Sequence, residues 1–199
     1  MKILISVLTM IFFSFVAVAE GFYIGVSTGQ VSFDTGITEV SGSTLDEESN
    51  TNSFFIGKKI NKNISLEGFY TDLGKVTLTA NSGDTFNSNY GTITFGGGSS
   101  STLETSSNTF GLAVKYEFVN DEKASLFFKA GFHNYETELK ALRGTITLGS
   151  IKYDGIDTII GLGSEYKINE KITLIVGYDA YQLGSSNVSY LHIGSKYIF

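Results

Sequence analysis

The chain has 199 residues and a formal net charge of −6, with 23 Gly, 16 Phe and 11 Tyr but no Pro, Cys or Trp. That length fits one domain, and the absence of cysteine excludes disulfides, a thiolate metal site and a lipoprotein anchor. An acidic chain with no basic stripe argues against nucleic acid as a partner.

Residues 1–19 read as a secretory signal peptide. Lys2 forms the charged start, residues 3–16 the apolar centre, and Ala17-Val18-Ala19 a small-x-small motif that places the cut between Ala19 and Glu20. The mature domain then spans residues 20–199. Its net charge is −7, because the leader removes one cation, Lys2, from a chain of −6. Beyond the leader no apolar run approaches the ~20 residues of a membrane helix.

From Glu20 onward the hydrophobic pattern has period two, the mark of strands. Seven strands are expected at about 20–30, 51–60, 64–79, 102–118, 124–138, 151–168 and 171–182, and an eighth runs to Phe199. Along them one face is apolar and aromatic, as in Phe110, Leu112, Val114, Tyr116 and Phe118. The other face carries small and charged residues, as in Gly111, Ala113, Lys115 and Glu117. A soluble barrel would turn the apolar face inward around a ligand. The mid-strand charges Glu67, Lys115, Glu117, Lys129 and Glu165 decide against it, because Gly and charge together suit a narrow polar lumen. Tyrosines near strand ends, such as Tyr70, Tyr116, Tyr166, Tyr178 and Tyr197, suit interfacial girdles.

Three short segments repeat one design: Ile60-Asn61-Lys62-Asn63-Ile64-Ser65-Leu66, Val119-Asn120-Asp121-Glu122-Lys123-Ala124-Ser125-Leu126, and Ile168-Asn169-Glu170-Lys171-Ile172-Thr173-Leu174. Each reads as a tight polar turn between strands. The other connections, about residues 31–50, 80–101 and 137–150, read as long loops, and 184–187 as a turn. Short turns at one end and long loops at the other give an all-β fold class: an eight-stranded antiparallel up-and-down transmembrane β-barrel. Counting rise from the turns puts Glu67, Lys115 and Glu165 in one interior layer. Lys115 is expected to pair with Glu67 on the adjoining strand or with Glu165 across the lumen.

The last strand places Leu191, Ile193, Tyr197 and Phe199 on one face and Tyr190, His192, Gly194, Lys196 and Ile198 on the other. With Ser65-Leu66-Glu67-Gly68-Phe69-Tyr70-Thr71-Asp72-Leu73-Gly74, Phe128-Lys129-Ala130-Gly131-Phe132-His133 and Gly161-Leu162-Gly163-Ser164-Glu165-Tyr166, it resembles the OmpA-like and OmpX-like outer-membrane barrels over most of the mature chain. The resemblance implies a bacterial outer-membrane location. It also implies a closing strand whose Leu191, Ile193, Tyr197 and Phe199 are read by the barrel assembly machinery, and contact with outer-membrane lipid and lipopolysaccharide. Such barrels have an interior gate of two acidic and two basic residues. Glu67, Lys115 and Glu165 fall on three of those positions and Ile175 on the fourth, so Lys129 is expected to supply the second cation from a slightly higher layer. The family's peptidoglycan-binding domain is absent from the pattern.

No catalytic constellation is expected. His192 and Ser195 are three apart on a strand and face opposite sides. His133 points inward, with Asp157 and Asp179 also on inward positions, and reads as a satisfied interior histidine. No enzyme activity, cofactor or metal is expected. The expected function is a structural and surface-interaction role through the loops, as a monomer, possessing no large pore. The alternative is a small porin-like channel for ions or small solutes, and behind it a barrel enzyme acting on lipid or peptide.

Overall fold

The computed structural model describes residues 21–88, 91–96, 98 and 100–199. The signal peptide and its Ala19–Glu20 cleavage site lie outside the described residues. Twelve strands follow in chain order among them. The first six are β1 (Phe22–Asp34), β2 (Thr38–Ser41), β3 (Thr44–Asp46), β4 (Glu48–Lys59), β5 (Ile64–Ala80) and β6 (Thr85–Ser88). The others are β7 (Gly91–Thr94), β8 (Ser101–Asn120), β9 (Ala124–Arg143), β10 (Ile146–Lys167), β11 (Ile172–Leu183) and β12 (Ser186–Ile198).

Eight of these close a ring. Its order is β5-β4-β1-β12-β11-β10-β9-β8, and β8 pairs back onto β5, every pair antiparallel. Closure leaves the barrel wall with no open edge. The ends meet as β1 against β12, with Tyr23 opposite Ile198, and the Phe199 N–H donates to the Phe22 carbonyl at 3.0 Å.

The repeated turns have a common cause. The Asn61 side-chain oxygen accepts from the Asn63 and Ile64 N–H groups, both at 2.9 Å. Asn169 does the same for Lys171 and Ile172, at 2.9 and 2.8 Å. An asparagine that satisfies its own turn's donors is a strong local signal. Asn63 and Asn120 also tie neighbouring turns together, donating to the Glu117 and Lys62 carbonyls.

The opposite end departs from the sequence expectation. Residues 137–150, expected to be a loop, form a β-hairpin: β9 runs on to Arg143, Gly144 turns at φ 58°, and β10 begins at Ile146. The cause is continued alternation, which sets Leu139 directly opposite Ile151 and Thr137 opposite Tyr153. The region 31–50 likewise contains β2 and β3, with β3 extending the sheet beside β5. Within residues 80–101, β6 and β7 join β2 in a small three-stranded sheet.

The wall is two-faced along the lower strands. Ile56, Leu112, Phe132, Leu162 and Ile193 stand exposed on the outside, while Tyr23, Ser65, Glu67, Lys115 and Glu165 are buried within. The lumen itself has two strata. Its turn-side half is charged and its loop-side half is largely apolar. Val31, Phe33, Leu73, Val76, Ile159 and Val188 form an apolar core there, joined by Tyr181 and Tyr190. Narrowness explains both: the interior is filled by side chains rather than water. Inward glycines make the room. Phe55 lies over Gly25, Tyr23 over Gly57, Phe69 over Gly111, Phe127 over Gly163 and Tyr135 over Gly155, where any Cβ would strike the ring.

Candidate functional site

The charged stratum is built from alternate positions of seven barrel strands. Lys115 on β8 lies between two acids. Its Nζ is 3.1 Å from Glu67 Oε1 on β5 and 2.6 Å from Glu165 Oε1 on β10. Glu67 Oε1 also accepts from the Tyr23 hydroxyl on β1 at 2.6 Å. Glu165 uses its second oxygen, Oε2, to accept from Lys196 Nζ on β12 at 2.6 Å. The chain Tyr23–Glu67–Lys115–Glu165–Lys196 therefore crosses the lumen without a break. Aromatic faces line it: Lys115 Nζ stands 5.1 Å from the Tyr23 ring centre and Lys196 Nζ 4.6 Å from the same ring, distances at which a cation is attracted to the ring.

The second cation is thus Lys196, not Lys129. Lys129 is directly opposite Lys115 across the β8–β9 pair, where like charges repel, and it turns the other way. Its Nζ donates to Asp179 Oδ2 on β11 at 2.7 Å. Gly161 of β10 lies between Lys129 and Asp179 in register. A Cβ there would collide with the Asp179 carboxylate and crowd the Lys129 chain, so the glycine is the gap through which they meet. Ile175, where the resemblance would put the fourth residue of a gate, is buried within the lumen.

Nearer the turns, Lys59 Nζ stands 3.9 Å from Glu117 Oε1. Among the described residues the turn-side half of the lumen thus holds four acids, Glu67, Glu117, Glu165 and Asp179, matched by Lys59, Lys115, Lys129 and Lys196. Burying ions in a narrow interior is tolerable only with such partners. A void of about 30 Å³ separates the two ion-pair layers, the space of a single water.

The histidines sit higher. His192 stacks on Tyr190 at 4.7 Å, and its Nε2 is 3.5 Å from Asp179 Oδ2. His133 shares a 2.6 Å hydrogen bond with the Thr109 hydroxyl and meets the Tyr181 ring edge-on at 5.3 Å. Tyr181 continues a hydroxyl line to Thr71 at 3.2 Å and from there to Ser53 at 2.8 Å. Leu191, Ile193, Tyr197 and Phe199 all stand outward, with the Tyr197 and Phe199 rings edge-on at 5.3 Å.

Sequence reasoning left Lys196, Tyr23 and Asp179 out of the layer. The signal for Lys196 was present, since alternation put it on the inward face of β12. Its neighbours could be known only from the closed ring, which brings β12 within reach of β10.

The chain matches a family model described as outer membrane protein β-barrel domain over residues 4–199. Three solved structures share the fold. Neisserial surface protein A is 13% identical, with 90% of this chain and 98% of that one covered at a TM-score of 0.58. The N-terminal β-barrel domain of Pseudomonas aeruginosa OprF is 12% identical, with 90% and 98% covered at 0.55. Ail, the attachment invasion locus protein of Yersinia pestis, solved with the heparin analogue sucrose octasulfate, is 13% identical, with 89% and 99% covered at 0.53. No curated protein matches the chain.

Proposed function

Because this chain belongs to the outer membrane protein β-barrel domain family, and so to the Gram-negative outer membrane, we propose that it is a sealed membrane anchor whose loop end serves contact at the cell surface. The observation that carries this is the double closure of the lumen. An unbroken ion-pair chain from Tyr23 to Lys196 fills one stratum, and an apolar core around Val31, Phe33, Ile159 and Val188 fills the next. A solute would have to displace both. In this reading the charged layer is static packing, and Glu67, Lys115, Glu165 and Lys129 are structural residues.

The turn end faces the periplasm and the loop end faces outward, in keeping with the short and long connections of such barrels. The working surface is then the extension of β8, β9 and β10 together with the β2-β6-β7 sheet. Its charge is mixed: Lys75 pairs with Glu104, Lys140 with Glu138 and Lys152 with Glu136. An acidic chain with its surface lysines already paired is poorly suited to a polyanion such as the heparin analogue held by Ail.

Planar-bilayer recording of the refolded mature chain tests the seal. The expected result is no stable conductance above the bare membrane. Reproducible unitary steps would favour the alternative, a small channel.

A further inference from the structure

Polarity inverts along the long strands. On the lower wall the outside is apolar and the lumen charged. On the extension of β8–β10 the outer face carries the ion pairs Lys75–Glu104, Lys140–Glu138 and Lys152–Glu136. The inner face is apolar or hydroxylated. Across these three strands Thr105 stands opposite Leu139 and Leu139 opposite Ile151, and in the next inward row Ser107, Thr137 and Tyr153 are aligned. Ile151 and Tyr153 remain about half exposed, so this inner face has no protein covering it among the described residues.

The face leads down into a cavity of about 420 Å³ at the mouth of the barrel, within the ~300–1,000 Å³ of small-molecule pockets. Phe33, Val76 and Val188 form its base, and Tyr135 and Tyr153 stand on its wall. No charged side chain lines it. Tyr135 is seated by two glycines, its ring across Gly155 and its hydroxyl 3.4 Å from where a Cβ of Gly184 would be. Among the described residues neither the Tyr135 nor the Tyr153 hydroxyl has a hydrogen-bond partner. The pocket thus has an apolar base, an aromatic wall and free donors at defined places.

We propose that this mouth binds a small uncharged ligand, largely apolar and carrying a hydroxyl or carbonyl oxygen that the tyrosine hydroxyls engage. Charge is the discriminating property. An anion entering here would be desolvated against walls that offer no counter-charge, and the nearest carboxylates, Asp157 on the Gly184 N–H and Glu47 on the Thr35 N–H, are of its own sign. Volume sets the size class, and the closed floor makes the event binding rather than passage. Ile159, Tyr181 and Val188 beneath are almost fully buried, leaving no route downward. The inference rests on the sealed-lumen reading for that last point only. Binding at the mouth and conductance are measured separately, so either can fail alone.

The test is a titration of the isotope-labelled chain in lipid nanodiscs, followed by amide NMR. The probe is 2-naphthol, compared with 2-naphthoate and with glucose. The expected result is saturable shifts at Thr137, Tyr153 and Leu183, with affinity for the anion weaker by about ten-fold or more, the expected consequence of an uncompensated charge. Tyr153→Asp should weaken 2-naphthol by a similar factor while heat-modifiable migration is retained. Thr105→Asp, two strands along on β8, serves the same purpose if that variant does not fold. Three results would overturn the proposal: shifts equally strong on the outer wall at Leu112 and Ile193, which would mean partition into lipid; equal affinity for 2-naphthoate; or a response to glucose alone.

Discussion

Replacing Lys115 by Met removes the central cation of the buried chain and keeps much of its volume. Two acids lose a partner, Glu67 at 3.1 Å and Glu165 at 2.6 Å. Deleting one member of a buried pair costs ~3–5 kcal/mol, because the other charge is left uncompensated. Here both acids keep something: Glu165 retains Lys196 at 2.6 Å and Glu67 retains the Tyr23 hydroxyl at 2.6 Å. A surviving hydrogen bond to a charged group contributes ~1.5–3 kcal/mol, so the expected loss falls to about 2–3 kcal/mol. The turn-side half of the lumen is left with four acids and three lysines. Adding Glu67→Gln restores balance, three against three, and should recover about 1 kcal/mol or more, within the usual range for directly coupled residues. Urea unfolding of the refolded proteins, followed by tyrosine fluorescence and heat-modifiable migration, measures both steps. In bilayers the single variant should still not conduct, because the apolar stratum above is untouched. A single variant within ~0.5 kcal/mol of the parent, as for an ordinary surface change, would refute the buried-network reasoning. So would a double variant less stable than the single. Conductance opened by Lys115→Met would mean that the layer is a gate.

Deleting Phe199 should lower the folded amount in cells while refolding in detergent stays nearly intact. Its ring is about half exposed, so truncation should cost less than the ~3–5 kcal/mol of a core phenylalanine; equal loss in both settings would count against an assembly role. Protease added to intact cells should cut within residues 31–50 or 80–101, or at the Gly144 tip of the β9–β10 hairpin. Cleavage confined to the turns at Asn61, Asn120 and Asn169 would place the barrel the other way up.

The lower wall was legible because its signal is strictly periodic. Phe110 to Phe118 alternates without interruption, and one misassigned residue would have put Lys115 into the membrane. The Asn61 and Asn169 turns were legible because the asparagine does the turning itself. The loop end was harder. The segment holding Lys140, Arg143 and Gly144 has loop-like composition, and only Leu139 and Ile151, twelve residues apart, reveal that it is paired. The apolar stratum escaped for another reason. Val31 and Val188 lie near expected strand ends, where their inward aim depends on the strands continuing, and Val76 is turned inward only by the bulge at Gly74, which reverses the alternation of β5. The choice of Asp179 for Lys129 required knowing that Gly161 stands between them. Sequence distance carries no trace of that gap.

The rings laid over glycines also govern slippage. Inside-outside alternation forbids two strands to slip by one residue, but a slip of two leaves it intact. Each ring faces its glycine directly in register: Tyr23 with Gly57, Phe55 with Gly25, Phe69 with Gly111, Tyr135 with Gly155. Moved by two, Tyr23 would meet Phe55 or Lys59, Phe69 would meet Thr109 or Ala113, and Tyr135 would meet Tyr153 or Asp157. The small interior has no space for any of these. The aromatic–glycine couples therefore act as a ratchet against the one error that hydrophobic patterning cannot detect. They are distributed over the β1–β4, β5–β8 and β9–β10 seams, so the circumference is indexed in several places before the last strand closes it.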